Sequence, residues 1–287
     1  METLYHYCPT LAFHGIITTK AIRLSALAQS NDSLEGRLVE RAIVRLATRD
    51  GRPRNEIEWF KFLVGQIYEK MDGLAFCLSE SGDLLSQWRG YANDANGLSI
   101  GFSVDYFKWL EARARGSSAP RLELTKAAYQ ESEHDTAIEA VYAKIKSQVD
   151  SGALQVPPSA FLSDERVPEQ SSADVKMAVR AMIDIYDQLL PLETSLYKLK
   201  SSAFSEEREW RMLSHISRGS DPAIMWFPKP DLLVPFKEAP LSPGPLRPIV
   251  EVILGPKNRT PNKVVEHFLE KNGFQDVQLR RSNASYQ

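Results

Sequence analysis

The segment from Leu74 to Phe102 constrains the fold more than any other part of the chain. It contains two apolar runs, AFCL and GLSIGF, separated by polar residues and an Asn/Asp/Gly-rich turn. Between the runs, apolar and aromatic side chains recur at roughly helical spacing, at Leu84, Leu85, Trp88 and Tyr91. This pattern predicts a strand, an amphipathic helix and a second strand. Its helix carries residues that bind planar or charged ligands, which is typical of a cleft wall.

The strand and helix patterns of the whole chain indicate an α+β fold. Predicted strands and helices alternate without a regular βαβ rhythm, and neither GxGxxG after a strand nor GxxxxGK[ST] occurs. These absences disfavour a Rossmann or P-loop fold. We predict a mixed, mostly antiparallel sheet with packed helices, in which RLELTKAAY pairs with GLSIGF and FPKPDLLVPF is irregular.

Length and charge are those of an ordinary globular protein. The 287 residues predict a single domain, residues 1–287, with a helical insertion at about 130–200. A net charge of −2 gives no overall signal for nucleic-acid or membrane-surface binding. Within this insertion we predict long helices at His134–Val149 and Ala173–Leu199. The insertion is also the segment through which a homo-oligomer would form.

The cysteines, the histidines and the apolar segments of the sequence indicate whether the protein binds a metal and in which compartment it lies. The two cysteines form no CxxC motif and the five histidines are scattered, so we predict no metal site. The amino-terminal residues have neither a basic region nor a long apolar stretch, which argues against a signal peptide. No apolar run approaches the roughly 18 residues of a membrane span. We expect a cytoplasmic protein with reduced cysteines.

A second informative segment lies far along the chain, at Lys198–Arg211, with the sequence KLKSSAFSEEREWR. It contains Glu207 and Glu209, spaced E-x-E. In a strand, residues two apart point to the same face, so both carboxylates can enter one cleft. Two carboxylates in one cleft raise the pKa of one of them.

Several pieces of the chain together resemble the domain of unknown function 2971 family. They are residues 4–7 (LYHY), 21–35, 75–102, 200–213 (KSSAFSEEREWRML) and 250–258 (VEVILGPKN). The resemblance implies no named activity, so chemistry has to be argued from the residues.

The order of these pieces is also similar to the ADP-ribosyltransferase fold. That fold opens with a strand bearing His or Arg, matched by His6. A strand–helix–strand unit with a Tyr at the end of its helix follows, matched by Tyr91. A later strand bears Glu, matched by Glu207 and Glu209. The resemblance implies a protein that takes NAD as its substrate and transfers ADP-ribose to a macromolecule, as toxins or antiviral-defence proteins do.

The chemistry of NAD cleavage suits these residue types. Nicotinamide leaves through an oxocarbenium-like state, which a carboxylate of Glu207 or Glu209 would stabilise, as in glycoside cleavage. Tyr91 would stack on nicotinamide, and His6 would hydrogen-bond a ribose hydroxyl or the amide. The residues assigned to NAD binding are Arg23 and Arg89 for the pyrophosphate, Trp88 for stacking, and Ser79.

Each assignment has a structural alternative. His6 can be a hydrogen-bonded histidine of the opening strand, and Trp88 and Tyr91 can be core residues. Glu209, flanked by Arg208 and Arg211, can belong to a plain salt bridge, while Arg211 can equally pair with Glu80 or Asp94. Two other functions stay open on the same residues. One is a nucleotide- or partner-binding module without catalysis, and the other is a metal-dependent nuclease using Asp32, Glu35 and Glu80.

Overall fold

The computed structural model describes residues 2–29, 35–115, 122–152, 173–217, 222–229, 231–241 and 244–286. Within these residues the strands are β1 (Thr3–Cys8), β2 (Ala21–Ala26), β3 (Met71–Ser79), β4 (Leu98–Ser103), β5 (Glu123–Lys126), β6 (Glu209–Ser217), β7 (Met225–Pro228), β8 (Leu233–Pro240), β9 (Ile249–Leu254) and β10 (Gln278–Arg281). The helices are α1 (Thr10–Thr19), α2 (Glu35–Arg49), α3 (Arg54–Lys70), α4 (Leu85–Tyr91), α5 (Val104–Arg115), α6 (Glu131–Asp150), α7 (Ala173–Leu189) and α8 (Asn262–Lys271).

These strands form one mixed, mostly antiparallel sheet, so the predicted α+β fold class is confirmed. Along the main path the order is β10-β9-β4-β1-β3-β2-β8-β7, and only β10 and β9 pair in parallel among the named strands. A branch leaves β3, which pairs with β6 over nine residue pairs, and β6 in turn pairs with β5. No helix within the described ranges is long and apolar enough to cross a membrane.

Two sequence-based predictions about strands are wrong. The strand within RLELTKAAY, now β5, pairs with β6 and not with β4, because β4 lies between β1 and β9 and has no free edge. FPKPDLLVPF is not irregular. Its ends form β7 and β8, an antiparallel hairpin in which Pro228 and Pro235 are tolerated close to the end of the sheet.

The helix predicted from Ala173 to Leu199 is shorter than expected. It ends at Leu189, and a 3-10 segment follows at Leu190–Tyr197. Pro191 explains the change, because it lacks the backbone N–H that would continue an α-helix. The tighter segment brings Lys198–Lys200 back to the sheet, where Ala128 and Leu199 form an isolated bridge.

Two layers of helices cover the sheet. One face, which includes Leu74, Phe76 and Leu78 of β3, packs against α1, α5 and α8. On the other face α2, α3, α6 and α7 form a separate apolar cluster that reaches the sheet at Ala75 and Leu213. The helices α6 and α7 occupy much of the predicted insertion, of which residues 153–172 lie outside the described ranges.

The short helix α4 covers the sheet beside β1 on the second of these faces. Its Trp88 packs with Tyr7 and Ile253 in a small apolar cluster of its own. The middle of β3 lies between this cluster and the four-helix layer and is covered by neither of them. We call this stretch of β3, at which the side chain of Cys77 is exposed, the recess.

The recess coincides with a gap in the pairing of β3. On one edge of β3, β1 pairs only at Tyr5–Ser79, while β2 pairs only at Ser25–Ala75 and Ala26–Leu74. The ladder is therefore interrupted from Phe76 to Leu78. Buried backbone carbonyls need hydrogen-bond donors, and a strand edge without a neighbour has to find them elsewhere.

His6 supplies the missing donor. Its Nδ1 lies 2.8 Å from the carbonyl oxygen of Cys77, and its ring stacks on Phe76 with centroids 4.1 Å apart. Since a carbonyl only accepts, Nδ1 carries the proton. Burial lowers the pKa of His6 to about 4. A neutral His6 therefore replaces a backbone neighbour at the point where β1 leaves β3.

This arrangement predicts that His6 makes folding stability depend on pH. Because the pKa of His6 falls from 6.5 to about 4 on folding, its contribution is complete above about pH 6.5 and is lost as the pH falls towards 4. His6→Gln keeps an N–H donor but does not titrate, so urea unfolding between pH 4 and 7 should show a shallower slope for this variant. His267→Gln, at an exposed position, is the control and should follow the wild type. Equal slopes for His6→Gln and wild type would contradict the prediction.

Candidate functional site

A buried ammonium between two carboxylates forms the centre of the candidate site. Lys200 Nζ lies 2.5 Å from Glu207 Oε2 and also contacts Glu209 Oε2. All three side chains are buried. We call these residues, together with Tyr91 and Arg211, the Lys200 cluster.

Arg211 adds a second cation to the cluster. Its Nε donates to Glu209 Oε1 at 2.9 Å, and its Nη1 donates to the carbonyl of Tyr197 at 2.7 Å. Two cations and two carboxylates balance each other in formal charge. Balance is necessary here because an unpaired charge at this depth would be very costly.

The chain brings the two carboxylates together by a route that the sequence did not suggest. Glu207 ends a 3-10 segment, Ser202–Glu207, and is not part of a strand with Glu209 as predicted. Arg208 then adopts a left-handed conformation, with φ of 44°, before β6 begins at Glu209. This turn, and not strand alternation, directs both carboxylates to Lys200.

Side chains from other elements hold this turn in place. Ser79 Oγ donates to the Glu207 carbonyl at 2.7 Å, and the Glu209 N–H donates to Tyr129 Oη at 2.8 Å. The Lys200 N–H donates to the Ala128 carbonyl at 2.9 Å. Strand β3 and the segment around β5 thus position the carboxylates.

Tyr91 links the cluster to the surface. Its hydroxyl donates to Glu207 Oε1 at 3.0 Å, while 36% of the residue is exposed. Burial and the charge of Glu207 raise the pKa of its hydroxyl, so it remains a donor at neutral pH. The ring of Tyr91 is therefore one solvent-reached part of the cluster, and the ring of Phe204, whose centroid lies 5.2 Å from Lys200 Nζ, is a neighbour.

Helix α4, which carries Tyr91, is held by the carboxyl-terminal segment. Trp88 Nε1 donates to Asp83 Oδ1 at 2.7 Å, and the Asn283 N–H donates to Asp83 Oδ2 at 2.7 Å. At the other end of α4, Tyr286 Oη donates to Asp94 Oδ1 at 2.7 Å. Both ends of the Tyr91 helix are thus fixed by residues that follow β10.

The charges of the cluster shift the pKa values of its ionisable side chains. Burial alone would raise the pKa of Glu209, but Arg211 and Lys200 lower it to about 2. Burial opposes the charge of Lys200 as well, yet Glu209 and Glu207 raise its pKa overall. Both residues are therefore charged across the physiological range.

Cys77 lies where the cluster meets the gap in the sheet. It is opposite Arg211 in the β3–β6 register, and solvent reaches it. The surrounding protein and the charge of Glu209 nevertheless raise the pKa of its thiol well above the usual value. An accessible side chain that is surrounded by protein and lies beside Glu209 marks the bottom of a recess.

The structure brings some of the residues predicted for the site into contact, and places others elsewhere. Four of the predicted residues lie together at the cluster: Glu207, Glu209, Tyr91 and Ser79. His6 stacks on Phe76, which belongs to the core on the opposite face of β3 from Cys77. Since His6 binds the carbonyl of Cys77, it lies behind the recess.

The remaining predicted binding residues make other contacts. Arg23 pairs with Glu238 at 3.3 Å and lies over the ring of Phe236. Arg89 is exposed, and its guanidinium lies 5.8 Å from the ring centroid of Tyr286. Trp88 is fully buried and therefore offers no accessible ring for stacking.

Two alternative pairings of Arg211 are wrong. Glu80 binds Lys126 at 2.6 Å and accepts from Trp210 Nε1, while Asp94 binds Lys257 at 2.9 Å. Among the described residues, no group of three or more His, Cys, Asp and Glu is placed to hold a metal ion. Asp32 and the side chain of Glu35 lie outside them.

Sequence reasoning missed one member of the cluster and two of its neighbours, which are Lys200, Tyr129 and Cys77. The salt bridge considered for Glu209 is formed with Arg211, which follows it by two residues on the same strand face. The roles of Lys200, Tyr129 and Cys77 leave no such signal, since their contacts join segments that are distant in sequence or separated by a turn.

Comparison with known proteins bears on this part of the chain. Residues 87–212 match the model of a protein family of unknown function, DUF2971. The match begins in α4 and ends in β6, so all five residues of the Lys200 cluster lie within it, whereas His6, Arg23, Cys77 and Ser79 lie outside. No curated protein and no solved structure matches the chain.

The ion pairs predict a large and pH-dependent effect of Glu209→Gln. The variant leaves Lys200 and Arg211 with one carboxylate between them, and breaking a buried pair costs about 3–5 kcal/mol. Urea unfolding at pH 7 measures this loss. Since the pKa of Glu209 is lowered on folding to about 2, the difference between wild type and variant should shrink as the pH falls from about 5 towards 2.

The matched control is Glu139→Gln. Glu139 forms an exposed pair with Arg49 at 3.2 Å, and such pairs contribute about 0–1 kcal/mol. If Glu209→Gln were as stable as Glu139→Gln at pH 7, the cluster would not stabilise the fold.

Proposed function

We propose that this protein is an ADP-ribosyltransferase-like enzyme that cleaves NAD and transfers ADP-ribose to a macromolecule. The observation that supports it best is the hydrogen bond from a half-exposed Tyr91 to Glu207, one of two carboxylates that share Lys200. A solvent-reached aromatic ring and a carboxylate are thus adjacent beside the recess in the sheet.

The reaction requires stabilisation of positive charge at the ribose. The bond between ribose C1′ and the pyridinium nitrogen breaks, and its electron pair leaves with the nitrogen, giving neutral nicotinamide. An acceptor nucleophile, or water, then bonds to C1′ and loses a proton. A carboxylate that accepts a hydrogen bond from a ribose hydroxyl stabilises the oxocarbenium-like state between these steps.

Glu207 is the carboxylate placed to do this. Its Oε1 accepts from the half-exposed Tyr91, whereas Glu209 is enclosed by Lys200 and Arg211. Lys200 holds Glu207 from the other side and fixes its orientation before a ligand arrives, and preorganised charge of this kind is an efficient source of catalysis. Glu209 and Arg211 would position Lys200.

The other predicted residues would bind or position the ligand. Tyr91 would stack on nicotinamide, and the exposed guanidiniums of Arg23 and Arg89 would contact the pyrophosphate. His6 would act indirectly, by linking β1 to β3 across the gap through its bond to the Cys77 carbonyl. The proposal includes a macromolecular acceptor in the cytoplasm and a role as a toxin or in antiviral defence.

One observation favours a second candidate function, a nucleotide-binding module without catalysis. Lys200 and Arg211 already neutralise both carboxylates, which weakens the field that either could exert on a bound ribose. Such a module would bind NAD or a related nucleotide and return it unchanged.

Glu207→Gln should abolish NAD cleavage and, because it removes one carboxylate from the buried Lys200 cluster, should also lower the melting temperature, so activity is measured well below that temperature. The amide has the same shape and can still accept from Tyr91, but it cannot stabilise positive charge on the ribose. Release of nicotinamide from NAD, read by chromatography with and without cell lysate, should fall by at least about 100-fold, the scale of losing one electrostatic contact in the transition state. Glu139→Gln, in which an exposed glutamate is changed in the same way, should keep wild-type activity.

Two results would count against the enzyme. Full activity of Glu207→Gln, assayed below its melting temperature, would remove Glu207 from catalysis. Binding of NAD to the wild type without release of nicotinamide would favour the binding module.

Tyr91→Ala should weaken NAD binding by about 1–3 kcal/mol if the ring stacks on the ligand. Tyr91→Phe is the matched variant, because it keeps the ring and loses only the hydroxyl that donates to Glu207. Calorimetric titration with NAD should place Tyr91→Phe between the wild type and Tyr91→Ala. Unchanged affinity together with a lower melting temperature in Tyr91→Ala would identify the residue as structural.

A further inference from the structure

The segment that follows β10, residues 282–286, contains neither helix nor strand and contacts both ends of α4. Before the helix, the Asn283 N–H donates to Asp83 Oδ2 at 2.7 Å. After the helix, Tyr286 Oη donates to Asp94 Oδ1 at 2.7 Å. We call residues 282–286 the strap. Its contacts with the two aspartates are polar and lie outside any strand pairing, so they can break without disturbing the sheet.

The turn that follows α4 is strained. Asn93, Asp94 and Ala95 all have positive φ, of 50°, 50° and 68°. Asparagine and aspartate tolerate this left-handed conformation, but it is unfavourable for alanine, because its Cβ approaches the following carbonyl oxygen. A strained conformation of this kind persists only where the surrounding structure imposes it, and it is common in switch regions. The bond from the strap to Asp94 is one of the contacts that impose it here.

Lys257 reinforces this contact. Its Nζ lies 2.9 Å from Asp94 Oδ2 and 4.1 Å from the centroid of the Tyr286 ring. The guanidinium of Arg89, on α4 itself, lies 5.8 Å from the same centroid. The Tyr286 side chain thus joins the strained turn, α4 and the segment after β9 at one point.

The apolar side chains beneath α4 form a unit that is separate from the main cores. Trp88 packs with Tyr7 in the small cluster described above, and the strap residues Ala284 and Tyr286 pack against that cluster. Among the described residues, neither of the two large clusters includes a side chain of α4. Local opening of such a unit requires less free energy than unfolding of the whole domain. The helix can therefore shift while both large clusters stay intact.

We propose that the strap is a releasable latch that holds α4, and with it Tyr91, against Glu207. When the strap leaves, Asp94 loses a hydrogen-bond donor and the strained turn at residues 93–95 relaxes. The helix then moves about this turn, which separates the Tyr91 hydroxyl from Glu207 and uncovers the carboxylate. Hinges are typically a few residues at the end of an element that absorb a change in φ and ψ. The inference does not depend on which ligand the site binds.

Tyr286→Phe tests the latch at the strained turn. It removes the hydroxyl that donates to Asp94 and keeps the ring beside Lys257. Amides of α4 should exchange with solvent deuterium at least about fivefold faster, because a hydrogen bond to a charged group is lost. Amides of β3 and β6 should keep their wild-type rates, and mass spectrometry of peptides reads both. Tyr142→Phe is the matched control, since it removes a tyrosine–aspartate bond of 2.9 Å in the four-helix layer, and should leave exchange of α4 unchanged.

Asn283→Pro tests the other end of α4. Proline has no backbone N–H and cannot donate to Asp83, whereas Asn283→Ala keeps this N–H. The proline variant should therefore speed up exchange of α4, and the alanine variant should behave as the wild type.

Labelling of carboxylates tests whether release uncovers the site. Treatment with a carbodiimide and glycine ethyl ester, read by mass spectrometry, should label Glu207 faster in Tyr286→Phe than in the wild type. Glu139, whose side chain is already half-exposed, should be labelled equally in both.

Three results would overturn the proposal. Wild-type exchange of α4 in both Tyr286→Phe and Asn283→Pro would show that the strap does not hold the helix. Equal acceleration in α4, β3 and β6 would make the strap a part of the global fold. Faster exchange of α4 with unchanged labelling of Glu207 would mean that Tyr91 stays in place when the strap is released.

Discussion

The buried ammonium of Lys200 is the interaction on which the candidate site depends. It joins Glu207, at the end of a 3-10 segment, to Glu209, at the start of β6. Through Glu207 it reaches Tyr91 on α4, and through Glu209 it reaches Arg211 in the sheet. A buried ion pair of this kind need not add much to stability. It does impose one arrangement on four segments, because any other leaves a charge without a partner.

The gap in β3 gives this cluster its access. Since β1 and β2 each cover only one end of the same strand edge, the sheet has two arms that separate at Phe76–Leu78. His6 satisfies the backbone on one face, and Cys77 opens to solvent on the other. A recess between packed layers is where ligands usually bind, since several elements can contribute side chains to it. The same features explain why the site is formed by residues from remote parts of the chain.

Two kinds of residue in this site differ in what they can tell about function. Lys200, Glu209 and Arg211 satisfy one another, so their presence is explained by the fold. Tyr91 is different, because its ring is partly exposed while its hydroxyl donates to the buried Glu207. A side chain that the fold leaves exposed beside a buried charge is the better guide to a ligand, and Tyr91 lies on α4.

Most of the elements were determined by the sequence alone, because local periodicity and turn residues are encoded over a few positions. The strand–helix–strand unit around α4 and the α+β class were both predicted correctly. The pairing of β5 with β6, the hairpin of β7 and β8, and the convergence of Glu207 and Glu209 were not. These depend on which strand edge is free, on the left-handed Arg208, and on a lysine seven residues from one partner and nine from the other. Such contacts are decided only when the whole sheet forms, since no short stretch of sequence contains both partners in their final geometry.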